Sequence, residues 1–297
     1  MEERGIAHLL HEPMERHTTL RIGGPADCFA MPKNEEEILW LCRICREEKI
    51  PLVVVGNGSN LLVSDDGVEG VVLCAGRDFS AVVPLKSGFF AQAGASLAAL
   101  SRAAEKASLS GLAFACGIPG TVGGAVFMNA GAYGGELADV IGSVKALDTA
   151  TGDISEFSAS ECGFGYRKSR FQTEENLLVL GASFCLFPGN AEEIGEKMRR
   201  FSESRREKQP LGFPNAGSAF QRPADGRAAA AMIDACGLKG VSVGGAQISE
   251  KHAGFLVNRG GASAGDVKEL LELVRLRVLE RFGVLLEPEY RFLGRMK

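Results

Sequence analysis

The chain has 297 residues, 45% of them hydrophobic and 24% charged, with a net charge of −4. That is ordinary globular composition, long enough for about two domains and a sizeable core. The weakly acidic balance gives no electrostatic case for a nucleic-acid partner, whose binders carry a basic excess.

Met1-Glu2-Glu3-Arg4-Gly5 lacks the basic-then-apolar order of a secretory signal. The eight scattered cysteines therefore read as reduced thiols in a cytoplasmic protein. Asn34, with Glu37 three residues on, predicts a capped helix that stops before Pro51. In it Cys42 and Cys45 have C-x-x-C spacing, but Ile38, Leu41, Cys42 and Cys45 recur at helical intervals, so both thiols join an apolar stripe. No second Cys or His pair stands at ligand spacing, and no metal is expected. Leu52 to Val55 and Val71 to Leu73 read as short strands, and Ser96 to about Ala107 as a helix with Leu97, Leu100 and Ala104 on one face. Ser143 to Asp148 and Ile154 to Ser158 flank a hairpin turn, and Leu177 to Phe187 is a longer strand. Asn190 opens a helix with Ile194, Met198 and Phe201 inward. That helix ends in Arg205, Arg206 and Lys208 and runs into a Pro/Gly-rich connector, which places a domain junction near residue 205. Gly254 to Asn258 reads as a strand, Ser263 and Asp266 as the capping box of a helix ending at Gly283, and Val284 to Leu293 as a last strand. Helices and strands mix without strict alternation, so the expected class is α+β rather than a doubly wound sheet.

No Lys, Arg, Asp or Glu lies between Ala107 and Gly135. The glycines, Pro119 and Asn129 of this run argue against a membrane span. Glycine costs about 0.5–1 kcal/mol relative to Ala inside a helix or strand, so Ala115-Cys116-Gly117-Ile118-Pro119-Gly120-Thr121-Val122-Gly123-Gly124-Ala125 reads as turns with bare backbone. Bare N–H groups in such turns form anion nests. Gly56-Asn57-Gly58-Ser59-Asn60-Leu61 is a second loop of this kind, and the two together point to a large phosphate-bearing cofactor. Leu61 stands where a dinucleotide fingerprint has its third glycine, no long helix follows, and no Walker A motif occurs.

These two loops, with Asn129-Ala130-Gly131-Ala132-Tyr133-Gly134, Phe164-Gly165-Tyr166-Arg167-Lys168-Ser169-Arg170-Phe171 and Asn215-Ala216-Gly217-Ser218-Ala219-Phe220, resemble the UDP-N-acetylenolpyruvoylglucosamine reductase (MurB) family. So do Gly237-Leu238-Lys239-Gly240, Lys251 to Asn258 and Leu286-Glu287-Pro288-Glu289-Tyr290-Arg291-Phe292, and the likeness runs from about Thr18 to Gly294. The resemblance implies a two-subdomain FAD-binding fold of the vanillyl-alcohol-oxidase (PCMH) type, residues 1–75 and 76–204, with a substrate domain at 205–297. It implies reduction of UDP-N-acetylglucosamine enolpyruvate to UDP-N-acetylmuramate by NADPH in peptidoglycan synthesis, by a cytoplasmic monomer with a UDP-sugar as its small-molecule partner. Residues implied to hold FAD are Gly56, Asn57, Gly58, Ser59, Asn60, Leu61, Ile118, Pro119, Gly120, Thr121, Gly123, Gly124, Gly131 and Arg291.

The implied chemistry passes hydride from flavin N5 to the vinyl carbon remote from the ether oxygen. Negative charge then develops on the neighbouring carbon and its carboxylate, and one proton must be delivered. Arg167 suits the carboxylate, because a guanidinium stays charged and can bind it through two parallel hydrogen bonds. Ser218 is the proton donor by motif match; a lone Ser in Asn-Ala-Gly-Ser is otherwise a turn residue. Strand spacing puts Glu287 and Glu289 on one face and leaves the choice open; the resemblance selects Glu289. Tyr166, Lys208, Gln221 and Arg222 are the implied substrate contacts. His252 reads as structural.

Two departures stand out. His17 occupies a position the family fills with Asn, which puts the turn at Thr18 to Gly24 in question. The stretch from Arg167 to Ser218 lacks the insertion that carries a tyrosine-bearing lid in one branch, so the chain resembles the type II branch. The rival functions are an alcohol or sugar-lactone oxidase on the same scaffold and a non-catalytic nucleotide-binding regulator; the set Arg167, Ser218 and Glu289 argues against both.

Overall fold

A computed structural model describes residues 1–295. The chain separates into two compact units. The first holds Met1–Leu10, Cys28–Asn57 and Gly70–Ser204; the second holds His11–Asp27, Gly58–Glu69 and the chain from Arg205 on.

The first unit is built on a five-stranded antiparallel sheet in the order Ile154–Ser158, Ile141–Asp148, Leu177–Cys185, Gly88–Gln92, Val82–Leu85. The predicted hairpin pairs Val144 with Phe157 and Leu147 with Ile154. The helix Leu97–Lys106, capped by the Ser96 hydroxyl on Ala99 N–H, buries Leu97, Leu100 and Ala104 in a core shared with Val144, Phe171 and Phe184. Each such large side chain stabilises the fold by about 1.5–3 kcal/mol when fully buried. A second cluster forms under the helix Glu35–Glu47, where Ile38, Leu41, Cys42 and Cys45 meet Leu73, Phe79 and Leu180. Burial, with neighbouring Cys45, pushes the Cys42 thiol up to about 12, so it packs as an apolar group.

The glycine-rich run differs from the expected set of turns. Val122–Met128 is a short helix, opened by Thr121 and closed by Asn129 at φ 41°. Val122 and Val126 bury completely in the sheet's core, and that packing outweighs the cost of Gly123 and Gly124.

The second unit carries a four-stranded antiparallel sheet in the order Asn215–Ser218, Phe255–Asn258, Ala246–Ile248, Ser242–Val243. The helix Ala264–Phe282 lays Val267, Leu270, Leu271, Val274 and Val278 into a core with Ile248, Leu256 and Ile233. Its capping box of Ser263 and Asp266 forms as the sequence predicts, and Gly283 closes it at φ 67°. Asp65 adds to the start of this helix, its carboxylate accepting from Ala264 N–H at 2.8 Å and Gly265 N–H at 3.2 Å.

The expected strand from Val284 to Leu293 is not continuous. Only Arg291–Leu293 is a strand, parallel to Leu61–Val63. Pro288 has no N–H for a ladder and makes a single bridge to Phe220. The carbonyl of Leu286 is taken by the Arg275 guanidinium at 3.0 Å. No described helix is long and apolar enough to cross a membrane.

Candidate active site

In the first unit the two glycine loops lie in contact. Asn57 Nδ2 donates to the Pro119 carbonyl at 3.1 Å. A Cβ on Gly56 would lie 2.3 Å from Thr121 Oγ1, closer than real atoms approach, so only glycine admits this contact. The Ile118-Pro119-Gly120 turn is tied down by Ile118 N–H to Ala115 O and by Leu97 N–H to Gly120 O. Gly123 N–H reaches the Ala93 carbonyl at 2.8 Å. Gly124 is exposed, and a Cβ there would meet nothing nearer than Thr121 Oγ1 at 3.6 Å. Packing does not require that glycine, whose N–H donates to the capping Thr121 Oγ1 at 3.4 Å.

Arg167 belongs to the same unit. Gly165 and Lys168 exchange both backbone hydrogen bonds, leaving Tyr166 and Arg167 as the two residues of a tight turn. Arg167 takes φ 53°, a left-handed conformation that such turns reserve for Gly or Asn. Its Nη2 donates to Gly131 O at 3.1 Å, and its guanidinium carbon stands 5.1 Å from the Tyr166 ring centre. Tyr166 is 53% exposed, so the pair presents a cation and a phenol outward. Gly131 sits in a short hairpin where a Cβ would come 2.6 Å from Gly135 O.

In the second unit the loop Gly58-Ser59-Asn60-Leu61 packs on the turn that begins at His17. Gly58, at φ 60°, leaves room only for hydrogen, since a Cβ would lie 2.1 Å from His17 O. Its carbonyl accepts from Thr19 N–H. His17 directs its ring to Glu12, with Nε2 to Oε1 at 3.0 Å, so the contact with Gly58 is made by backbone that any residue supplies. Asn60 Nδ2 donates to Glu289 O at 3.1 Å, while Asn60 O accepts from Arg291 N–H at 2.9 Å. The structure thus brings Asn60, Leu61, Glu289 and Arg291 together.

Ser218 ends the strand Asn215–Ser218 opposite Phe255, after a register shift. Asn215 Oδ1 accepts from Gly217 N–H, and Gly217 turns to φ 80° with open space where a Cβ would be. Such an irregularity re-aims the next side chain, and Ser218 is exposed. The chain then runs antiparallel to residues 287–289: Glu289 N–H binds Ala219 O and Gln221 N–H binds Glu287 O. Beneath them Tyr290 is buried, its hydroxyl 3.5 Å from Gly217 O, and burial pushes that phenol well above its ordinary range. Glu289 is half-buried and Glu287 exposed, an asymmetry that alternate strand residues would lack. Gln221 is half-buried with Nε2 3.5 Å from Pro288 O; Arg222 and Lys208 are exposed. His252 Nδ1 accepts from Gly254 N–H and the ring packs edge-on against Phe255, which is a structural use. Among the described residues no cluster of three His, Cys, Asp or Glu could hold a metal ion.

Asn129 and Gly217 stand in the motifs quoted from the sequence, which gives neither a part in shaping these turns, and Gln172, whose amide donates to Arg167 O at 3.0 Å, lies in none. Asn129 carried a usable signal, because Asn after a helix is a left-handed cap; the helix itself was hidden by its glycines.

Two family profiles match this arrangement in chain order: an FAD binding domain over residues 26–158 and the UDP-N-acetylenolpyruvoylglucosamine reductase C-terminal domain over residues 209–293. A UDP-N-acetylenolpyruvoylglucosamine reductase of Syntrophomonas wolfei is 47% identical over 96% of this chain and 94% of its own length. One from Heliobacterium modesticaldum is 47% identical over 95% of this chain and 90% of its own. The crystal structure of the Thermus caldophilus enzyme, 37% identical, superposes with a TM-score of 0.81 over 97% of this chain and 99% of that one. With both domains in order and relatives this similar over nearly its whole length, the chain belongs to the UDP-N-acetylenolpyruvoylglucosamine reductase family.

Proposed function

We propose that this chain is an FAD-dependent reductase that converts UDP-N-acetylglucosamine enolpyruvate to UDP-N-acetylmuramate at the expense of NADPH. The observation that carries the reading is the 47% identity to a reductase of that name over 96% of the chain. Its place is peptidoglycan synthesis, and the expected setting is a cytoplasmic monomer that binds no nucleic acid.

The residues present fit FAD. Gly56 and Thr121 bring two uncharged loops into contact that a Cβ would break, and Gly124 leaves an exposed surface with no side chain over it. Residues 56–61, 118–121, Gly123, Gly124, Gly131 and Arg291 would hold it, with the glycine-rich turn at 56–60 suited to a diphosphate. When bound, FAD supplies the two-electron chemistry that carries reducing equivalents from NADPH to the substrate double bond. The division at residues 75 and 204 into two flavin-binding subdomains and a substrate domain belongs to the same reading.

The chain's own groups do the rest. Arg167 pairs with the substrate carboxylate and stabilises the negative charge that develops on it and on the adjoining carbon. Ser218 Oγ delivers its proton to that carbon, forming a C–H bond as the enolate-like charge collapses. A hydroxyl is a weak acid, yet it suffices toward a carbanion-like centre. Glu289 hydrogen-bonds the same region and orients the proton path. Tyr166, Gln221 and Arg222 contact the sugar nucleotide, and Lys208 meets its diphosphate.

The test is the holoprotein with NADPH and the enolpyruvyl substrate under nitrogen. Stoichiometric NADPH loss with UDP-N-acetylmuramate formed, read by mass spectrometry, is the expected result. NADPH consumed only when oxygen is admitted, with the substrate unchanged, overturns the reading in favour of an oxidase.

A further inference from the structure

The Tyr166–Arg167 turn is held by more than its own backbone. Left-handed φ at a non-glycine residue is strained and persists only where neighbours over-determine it. Arg167 O accepts from Gln172 Nε2 at 3.0 Å, and the same amide group reaches Phe127 O at 2.6 Å. Phe127 O also takes the hydroxyl of Ser169, which is 1% exposed, at 2.7 Å. Phe127 lies in the last turn of the helix Val122–Met128, where carbonyls lack helical partners. At the other end of the turn, Gly165 O accepts from Asn129 Nδ2 at 2.9 Å. Asn129 is 0% exposed, and its Oδ1 takes Ala138 N–H at 3.0 Å. Two residues beyond it, Gly131 O receives the Arg167 guanidinium.

We propose that Asn129 and Gln172 are positioning residues that lock the Tyr166–Arg167 turn, and so aim the guanidinium at the substrate carboxylate; this rests on the role given to Arg167 above. Asn129 fixes both the start of the turn and the segment that offers Gly131 O. Gln172 fixes the carbonyl of Arg167 itself. Neither side chain needs to touch substrate. The short glycine-rich helix thereby has a second duty: its C-terminal end is the anchor for the turn.

Gln172→Met keeps length and volume but removes the donor. It is half-buried, so the variant folds where a change at Asn129 could fail; Asn129→Gly, which keeps the left-handed cap, is the companion. The holoproteins are followed in two half-reactions without oxygen: reduction by NADPH, then reoxidation by the enolpyruvyl substrate. A misaimed group of this kind costs roughly 10²-fold. For Gln172→Met the expected result is that order of loss in reoxidation, unchanged reduction and unchanged flavin content; for Asn129→Gly, which also releases the Gly131 segment, it is at least that loss in reoxidation. Combining Gln172→Met with Arg167→Ala is expected to be no slower than Arg167→Ala alone. A merely structural role would instead lower flavin content and both half-reactions together. Wild-type reoxidation in Gln172→Met beside a slow Arg167→Ala overturns the proposal. If Arg167→Ala itself reoxidises normally, the role of Arg167 falls. A crystal structure of Gln172→Met then still decides positioning: a turn with Arg167 unmoved overturns it, and a guanidinium parted from Gly131 O upholds it.

Discussion

The turn that carries Arg167 and the strand end that carries Ser218 solve one problem in opposite ways. Each must point a polar side chain away from a regular ladder, and each uses one left-handed residue. In the first unit Arg167 takes φ 53° itself, and side chains of Asn129 and Gln172 hold the turn. In the second unit Gly217 takes φ 80° next to Ser218, and a Cβ there would meet nothing within 4 Å. Both turns are held by side chains, Gly217 by Asn215 and Tyr290; the difference is that a non-glycine residue bears the left-handed strain in the first and a glycine takes that conformation freely in the second.

The largest way to break the comparison is to remove the groups themselves. Ser218→Ala is expected to lower turnover by roughly 10²–10⁴, the usual contribution of a general acid. Its stability in urea should stay near wild type, because the hydroxyl is exposed. Steady-state NADPH consumption is the readout, and unchanged turnover would remove the proton-donor assignment.

Arg167→Ala is expected to cost roughly 10²–10³ in turnover, as loss of a preorganised charge stabiliser does. Arg167→Gly should be as inactive, yet more stable than Arg167→Ala by about 1–2 kcal/mol, since glycine relieves the left-handed strain. Urea midpoints of the pair measure this, and equal midpoints would mean that the turn relaxes without cost. Gly217→Ala is the mirror experiment. Open space means no clash, so the expected cost is about 1–2 kcal/mol of stability from φ alone. Turnover should fall as Ser218 is turned aside, and a stability loss beyond that range would expose a hidden contact.

The smallest effect concerns His252. Burial holds its pKa below the ordinary 6.5, so the unfolded chain binds the proton more readily. Stability from this group is complete above about pH 6.5 and is lost as pH falls through the lower folded value. Urea midpoints between about pH 7.5 and 5.5 should fall in wild type and flatten in His252→Asn. A slope that survives the substitution would place it elsewhere.

What could be read from sequence follows the range of the forces involved. The caps at Asn34 and Ser263 and the stop at Gly283 are local hydrogen bonds, and all three form where the residues predict. The hairpin Ile141–Asp148 with Ile154–Ser158 is nearly as local. Val122–Met128 was hidden because its helix rests on burial of Val122 and Val126 in a sheet whose strands lie tens of residues away. The interruption after Gly283 was partly legible, since Pro288 cannot donate to a ladder; the hold of Arg275 on the Leu286 carbonyl was not. For the site, glycine density signalled close backbone approach, and the contact of Gly56 with Thr121 gives it a partner. The clamps at Asn129 and Gln172 were invisible, since a single amide announces no partner until the chain is folded.

The most direct test of the account takes wild type, Arg167→Ala, Ser218→Ala and the double variant, each reduced by NADPH without oxygen. The rate at which bound flavin reoxidises after UDP-N-acetylglucosamine enolpyruvate is added is then compared. Groups that act as a unit in one step are strongly non-additive. The account predicts equal reduction rates in all four and a double variant about as slow as the worse single one. Losses that multiply, or that already arise in the reduction by NADPH, would contradict it.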